Sequence, residues 1–135
     1  MSESSGASER RHEFTEGLYG WITHTELASA DPSATREWCA SVLGWDFMPS
    51  FPTPDGEYHL YRYSDQGGGG IRSVATEEEA GSTPFVHVED ADASFAKATE
   101  EGATEMLAPT TMMEGVRLAI VRAPGGVPIG FSGPS

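Results

Sequence analysis

The sequence predicts an α+β fold made of two βαβββ modules in tandem. Two helices are punctuated alike: Asp31-Pro32 opens one that runs to Gly44, and Asp90 opens one that runs to Gly102. Asp is a strong N-cap, Pro suits the first helical position, and Gly supplies the left-handed residue that a helix C-terminus favours. One β-patterned run precedes each helix and three follow it. Element order and helix punctuation therefore recur, with little residue identity between the halves.

Residues 1–17, MSESSGASERRHEFTEG, are polar and charged and read as a disordered arm; His12 falls there and is given no role. The domain is expected over 18–135, with module 1 at about 20–75 and module 2 at about 83–133. Module 1 opens with a strand at about 21–28. Its helix carries Ala34, Trp38 and Val42 at four-residue spacing, an apolar stripe that should pack inward. WDFMPSF reads as a strand, TPDG as a turn and EYHLYRY as the second hairpin arm. SDQGGGG reads as a loose loop, IRSV as a short strand, and ATEEEAGS as an acidic connector with a solvated charge run. In module 2, PFVHV is a strand and DADASFAKATEEG a helix with Phe95 and Ala98 on one face. ATEML is a short strand, APTTMMEG a loop, VRLAIVR a strand, APGG a turn and VPIGFS the last strand.

Acidic residues outnumber basic ones 21 to 8, for a net charge of -13. That excludes nucleic acid and anionic membrane surfaces as partners, since both need basic surface. Lys97 is the only lysine, against seven arginines. Such a surface suits a protein adapted to high salt; an ordinary acidic cytosolic protein is the alternative. No apolar run approaches the roughly 20 residues that span a bilayer, and no secretory segment is evident, so a cytoplasmic location is expected. With one cysteine, Cys39, neither an intrachain disulfide nor a cysteine-rich zinc site is possible, and a packed core thiol is expected.

His24 and Glu26 lie two apart in a strand pattern and therefore share a face. A core strand has little use for that pair. Three roles stay open: a polar pair lining a wet cavity, an acid/base or ligand-binding pair, or part of a metal site. His59 shares a face with Tyr61 and Tyr63, opposite Tyr58, Leu60 and Arg62; an exposed strand histidine is expected, with a cavity contact as the other option. Arg72 can fork a carboxylate or phosphate, with a surface ion pair equally open. Met112 and Met113 suit either a cavity mouth or plain packing. Gly67 to Gly70 is no phosphate loop, because neither Lys-Ser/Thr nor a helix follows. No Ser/His/Asp nucleophile constellation can be argued.

The segment HTELASADPSATREWCASVLGW, with FVHVEDADASFAKATEEGAT and GVRLAIVRAPGGVPIGF, resembles the glyoxalase / bleomycin-resistance / extradiol dioxygenase (vicinal oxygen chelate) superfamily, in the branch related to lactoylglutathione lyase. The likeness covers about residues 20–133; Ala123 stands where the family's finish has aspartate. It implies a mixed sheet curled around a central cavity, with helices outside. Metal-dependent members take four ligands, one from each of four strands. Those positions fall on His24, near Arg72, near Thr83 and near Gly130, and His24 alone is a ligand type. If Thr83 occupies its family position, counting by twos puts His87 on the cavity face, and His24, Glu26 and His87 would then make a facial set, non-standard for the family, for one divalent transition metal.

The resemblance implies a small-molecule site in the cavity and lyase or isomerase chemistry on a carbonyl compound, with Glu26 as base and His24 as ligand or partner. Tyr61, Arg72, His87 and Met113 would contact the ligand. The alternative is non-catalytic binding of the drug-sequestering kind, in an apolar pocket that Tyr58, Tyr61, Trp21, Phe85 and the methionines could line. A structural or regulatory domain is a third option without a specific feature. Family habit implies a homodimer.

Overall fold

A computed structural model describes residues 16–135. Of the expected arm, residues 1–15, with His12, lie outside the described residues, and the last two belong to a 3-10 turn, Glu16–Leu18. The elements that follow are β1 (Ile22–Ser29), α1 (Pro32–Trp38) continued by a π turn (Cys39–Leu43), β2 (Asp46–Phe47), β3 (Phe51–Thr53), β4 (Gly56–Ser64) and β5 (Gly67–Ser73). Then come β6 (Gly81–His87), α2 (Ala91–Glu100), β7 (Thr104–Met113), β8 (Val116–Arg122) and β9 (Pro128–Gly133). No described helix is long and apolar enough to cross a membrane.

The chain forms two compact units: His24–Thr83, and the described residues up to Thr23 together with Pro84–Ser135. Each unit repeats one topology. In the first, the strands run β1-β5-β4-β2, with β3 also on β4; β1 and β5 are parallel and the other pairs antiparallel. In the second they run β6-β9-β8-β7, with β6 and β9 parallel and the rest antiparallel. A helix follows the first strand in both, and hairpins lead to the last strand, which returns beside the first. The α+β class and the tandem βαβββ order are thus what the chain adopts.

Both helix caps form as read. Asp31 Oδ1 accepts from the Ala34 amide at 3.1 Å, Asp90 Oδ1 from the Ala93 amide at 3.0 Å, and Gly44 ends the first helix at φ 70°. The apolar stripe of α1 does not behave as expected. Trp38 and Val42 are exposed (57% and 58%), while the buried side carries Thr35, Arg36 and Cys39. Two of those are polar and are satisfied: Thr35 Oγ1 meets Ser29 Oγ at 2.7 Å, and Arg36 Nη1 donates to His59 Nδ1 at 3.0 Å. Because the covered face spends polar residues on specific partners, hydrophobic periodicity points the wrong way here.

Three further readings change. WDFMPSF is two short strands, β2 and β3, interrupted around Pro49, which has no amide proton for a ladder. The supposed glycine loop is the start of β5. The APTTMM segment is strand as well: β7 runs ten residues, and as the last strand in its order it accommodates Pro109 and several register shifts. Met112 and Met113 therefore end a strand, both exposed.

Candidate functional site

Register builds the site in the His24–Thr83 unit. Parallel pairing sets Glu26 opposite Gly70 and Ala28 opposite Arg72; antiparallel pairing sets Gly70 opposite Leu60. Paired residues share a face, and so do residues two apart on one strand. His24 and Glu26 of β1, Tyr58 and Leu60 of β4 and Arg72 of β5 therefore stand on one face. His59, Tyr61 and Ile71 stand on the other, against α1, and are all buried.

On the first face the polar side chains converge. The Tyr58 hydroxyl donates to Glu26 Oε2 at 3.2 Å and lies 3.4 Å from His24 Nε2. Arg72 Nε donates to Glu26 Oε1 at 2.9 Å. Arg72 Nη1 and Nη2 grip Glu78 Oε1 and Oε2 at 2.7 and 2.8 Å, and Nη1 also donates to the Ser73 carbonyl at 3.0 Å. The Glu78 carboxylate in turn accepts from the Ala75 amide at 2.7 Å. Beside this ion pair a half-open cavity of about 570 Å³ is lined by Asp55, Arg72, Ser73, Thr76 and Glu78, among others.

Glycine is what lets β4 reach β1. A Cβ on Gly70 would fall inside the Tyr58 ring, and one on Gly69 would meet both the Thr25 carbonyl and the Tyr61 hydroxyl. The bare segment of β5 is a trough across which the two tyrosines lie. Tyr61 uses it on the opposite face: its hydroxyl donates to the Thr25 carbonyl at 2.6 Å and its ring stacks on Trp45 at 4.2 Å.

The electrostatics follow from this packing. Burial lowers the His24 pKa, disfavouring the imidazolium, while Glu26 pulls the other way. Tyr58 is raised well above the usual phenol value by burial and then by Glu26, so it remains a proton donor. Arg72 is raised, first by its hydrogen bonds to Glu78. Glu78 is held at about 2 by the same guanidinium.

The remaining sequence candidates belong to other faces and elements. His87, in the other unit, is buried; its ring stacks on Tyr19 at 5.5 Å and its amide donates to the Trp21 carbonyl at 2.7 Å. Met113 ends β7, exposed. His59 is buried and partnered by Arg36, not exposed as expected. Tyr58, Gly70 and Glu78 were the residues sequence reasoning undervalued. Strand alternation already separated Tyr58 from Tyr61; Glu78 was hidden in a charge run read as solvated.

The family's metal positions do not fit these residues. At the second, the Arg72 guanidinium is ion-paired to two carboxylates. At the fourth, a Cβ on Gly130 would run into the Phe85 ring, so no ligating side chain has room there. Glu26 has both oxygens engaged, by Arg72 and Tyr58. No group of three or more His, Cys, Asp or Glu able to hold a metal occurs among the described residues.

Comparison with known proteins bears on the fold. No curated protein sequence matches this chain. Among solved structures, a hypothetical protein from Bacillus halodurans C-125 superposes with a TM-score of 0.68 at 12% identity, over 84% of this chain and 94% of that one. A methylmalonyl-CoA epimerase from Mycobacterium tuberculosis gives 0.63 at 21% identity, over 93% and 95%. A Streptomyces coelicolor methylmalonyl-CoA epimerase variant in complex with 2-nitronate-propionyl-CoA gives 0.64 at 18%, over 86% and 97%. The family model for the Glyoxalase/Bleomycin resistance protein/Dioxygenase superfamily matches residues 21–131, nearly the whole of the repeated βαβββ units, and the chain belongs to that superfamily.

Proposed function

We propose that the chain binds a small carbonyl compound on the face carrying His24, Glu26 and Tyr58 and carries out isomerase- or lyase-type proton chemistry there. The observation that supports this most is the Tyr58 hydroxyl standing between Glu26 Oε2 and His24 Nε2. Glu26 takes the proton next to the carbonyl. As Glu26 takes up that proton, the single O–H of Tyr58 turns from it to the carbonyl oxygen and, with the His24 imidazole as a second donor, holds the charge that develops there. Arg72 fixes the Glu26 carboxylate in place. Solved structures named as methylmalonyl-CoA epimerases share the fold, and epimerisation is an isomerase reaction.

One observation favours a second reading, binding without turnover. Arg72 and Tyr58 each engage one oxygen of the Glu26 carboxylate, which leaves less of it open to a ligand's proton. A single experiment separates the readings. Neutral carbonyl compounds are screened by NMR in D2O, following both ligand-induced amide shifts and deuterium exchange at the carbon next to the carbonyl. Exchange that disappears in Glu26→Gln while binding persists supports the enzyme. Binding without exchange supports the second reading, and no binding by any probe overturns both.

A further inference from the structure

The charge of the ligand can be read from how Arg72 is used. A guanidinium has five N–H donors. Four are committed in Arg72: Nε to Glu26, Nη1 to Glu78 and the Ser73 carbonyl, and Nη2 to Glu78. Its one positive charge faces two carboxylates, leaving the cluster net negative. The second carboxylate is not loosely placed. Glu78 is held by its own turn, through the Ala75 amide on its carboxylate and its amide on the Ala75 carbonyl at 3.0 Å. One N–H is left for an incoming anion, and a two-pronged grip on it would require breaking the Glu78 ion pair and disturbing the turn that holds it.

The other cations of this unit do not substitute for it. Arg36 lies on the opposite side of the sheet, on His59 and over the Phe47 ring. Arg62 shares the face of His24 but stands opposite Asp46 in the β2–β4 pairing. Between residues 24 and 83 the sequence has ten Asp and Glu against three Arg. What the face offers a ligand is neutral, a phenol and an imidazole, beside excess negative charge.

We propose that this site takes an uncharged carbonyl compound and discriminates against carboxylates, phosphates and nucleotide-bearing thioesters. The inference rests on the small-molecule reading above and narrows its substrate class. It also sets this chain apart from the epimerase in complex with 2-nitronate-propionyl-CoA, whose ligand is strongly anionic.

The test uses matched probes that differ in charge: methyl acetoacetate against acetoacetate, and the propionyl thioester of N-acetylcysteamine against propionyl-CoA. Affinities are measured by NMR titration of the full chain, of Glu78→Gln, and of Glu105→Gln as a control for net charge alone. The neutral member of each pair should bind at least tenfold more tightly. Glu78→Gln should narrow that gap severalfold by releasing Arg72, and Glu105→Gln should leave it unchanged. Equal or tighter binding of the anions to the unmodified chain overturns the inference and leaves the carbonyl reading standing. An identical effect of Glu78→Gln and Glu105→Gln overturns the assignment to Arg72. Failure of all four probes overturns the carbonyl reading and the inference with it.

Discussion

The ring of Tyr58 lies in the space that a side chain on Gly70 would fill. Strands β4 and β1 are not neighbours; β5 runs between them, so they are separated by two inter-strand steps, roughly 10 Å. A β4 side chain reaches β1 only by lying across a strand that has no side chain of its own at that point. Gly70 provides this, and the Tyr58–Glu26 hydrogen bond depends on it.

Gly70→Ala should therefore cost about 1–3 kcal/mol of stability, the usual range for overpacking, and displace the Tyr58 ring. Urea unfolding measures the loss. In a Tyr58→Ala background the same substitution should cost little, because the obstructing ring is gone. A penalty of the same size in both backgrounds would show that backbone strain in β5, not the tyrosine, is the cause.

Acid should reveal the Arg72–Glu78 pair. The Glu78 carboxyl is lowered from 4.5 to about 2 in the folded chain, so its stabilising contribution is complete above about 4.5 and is lost as the pH falls toward 2. Unfolding free energies across that window should fall less steeply for Glu78→Gln than for the unmodified chain. Coincident slopes would mean that the ion pair adds nothing to folding.

His24 should titrate below its ordinary 6.5, because burial outweighs the opposing pull of Glu26. Removing that carboxylate with Glu26→Gln should lower it further, as followed by NMR of the imidazole. For a histidine with a depressed pKa, the unfolded chain binds the extra proton first. Its contribution is therefore present above 6.5 and declines as the pH falls. An upward movement in Glu26→Gln would contradict the assigned balance.

The outward stripe on α1 gives a contrasting pair. Trp38→Ser should change stability by no more than about 0.5 kcal/mol, since Trp38 is largely exposed. Arg36→Ala should cost about 1–3 kcal/mol by leaving the buried His59 without its partner. Thermal unfolding of the two variants side by side decides it. The reverse ranking would restore the amphipathic reading of the helix.

These contrasts mark what was legible in the sequence. The two helices, their Asp caps, the glycine stops and the hairpin order could be read because each depends on residues a few positions apart. The face shared by His24 and Glu26 followed from strand alternation alone. The repeat of one βαβββ pattern gave the fold class for the same reason.

What only tertiary structure decided is which side chains meet. Tyr58 contacts its β1 partners from 34 and 32 residues away, and Arg72 contacts Glu26 from 46. Such contacts are set by strand register, and a one-residue slip would turn every one of these side chains to the opposite face. The glycines of β5 and the acidic run containing Glu78 read locally as loop and solvated charge. Register converts them into the trough under Tyr58 and the carboxylate that occupies Arg72. The sheet also decided that α1 covers its neighbours with Thr35 and Arg36 and leaves Trp38 outside, because those polar groups find partners only once β1 and β4 are in place.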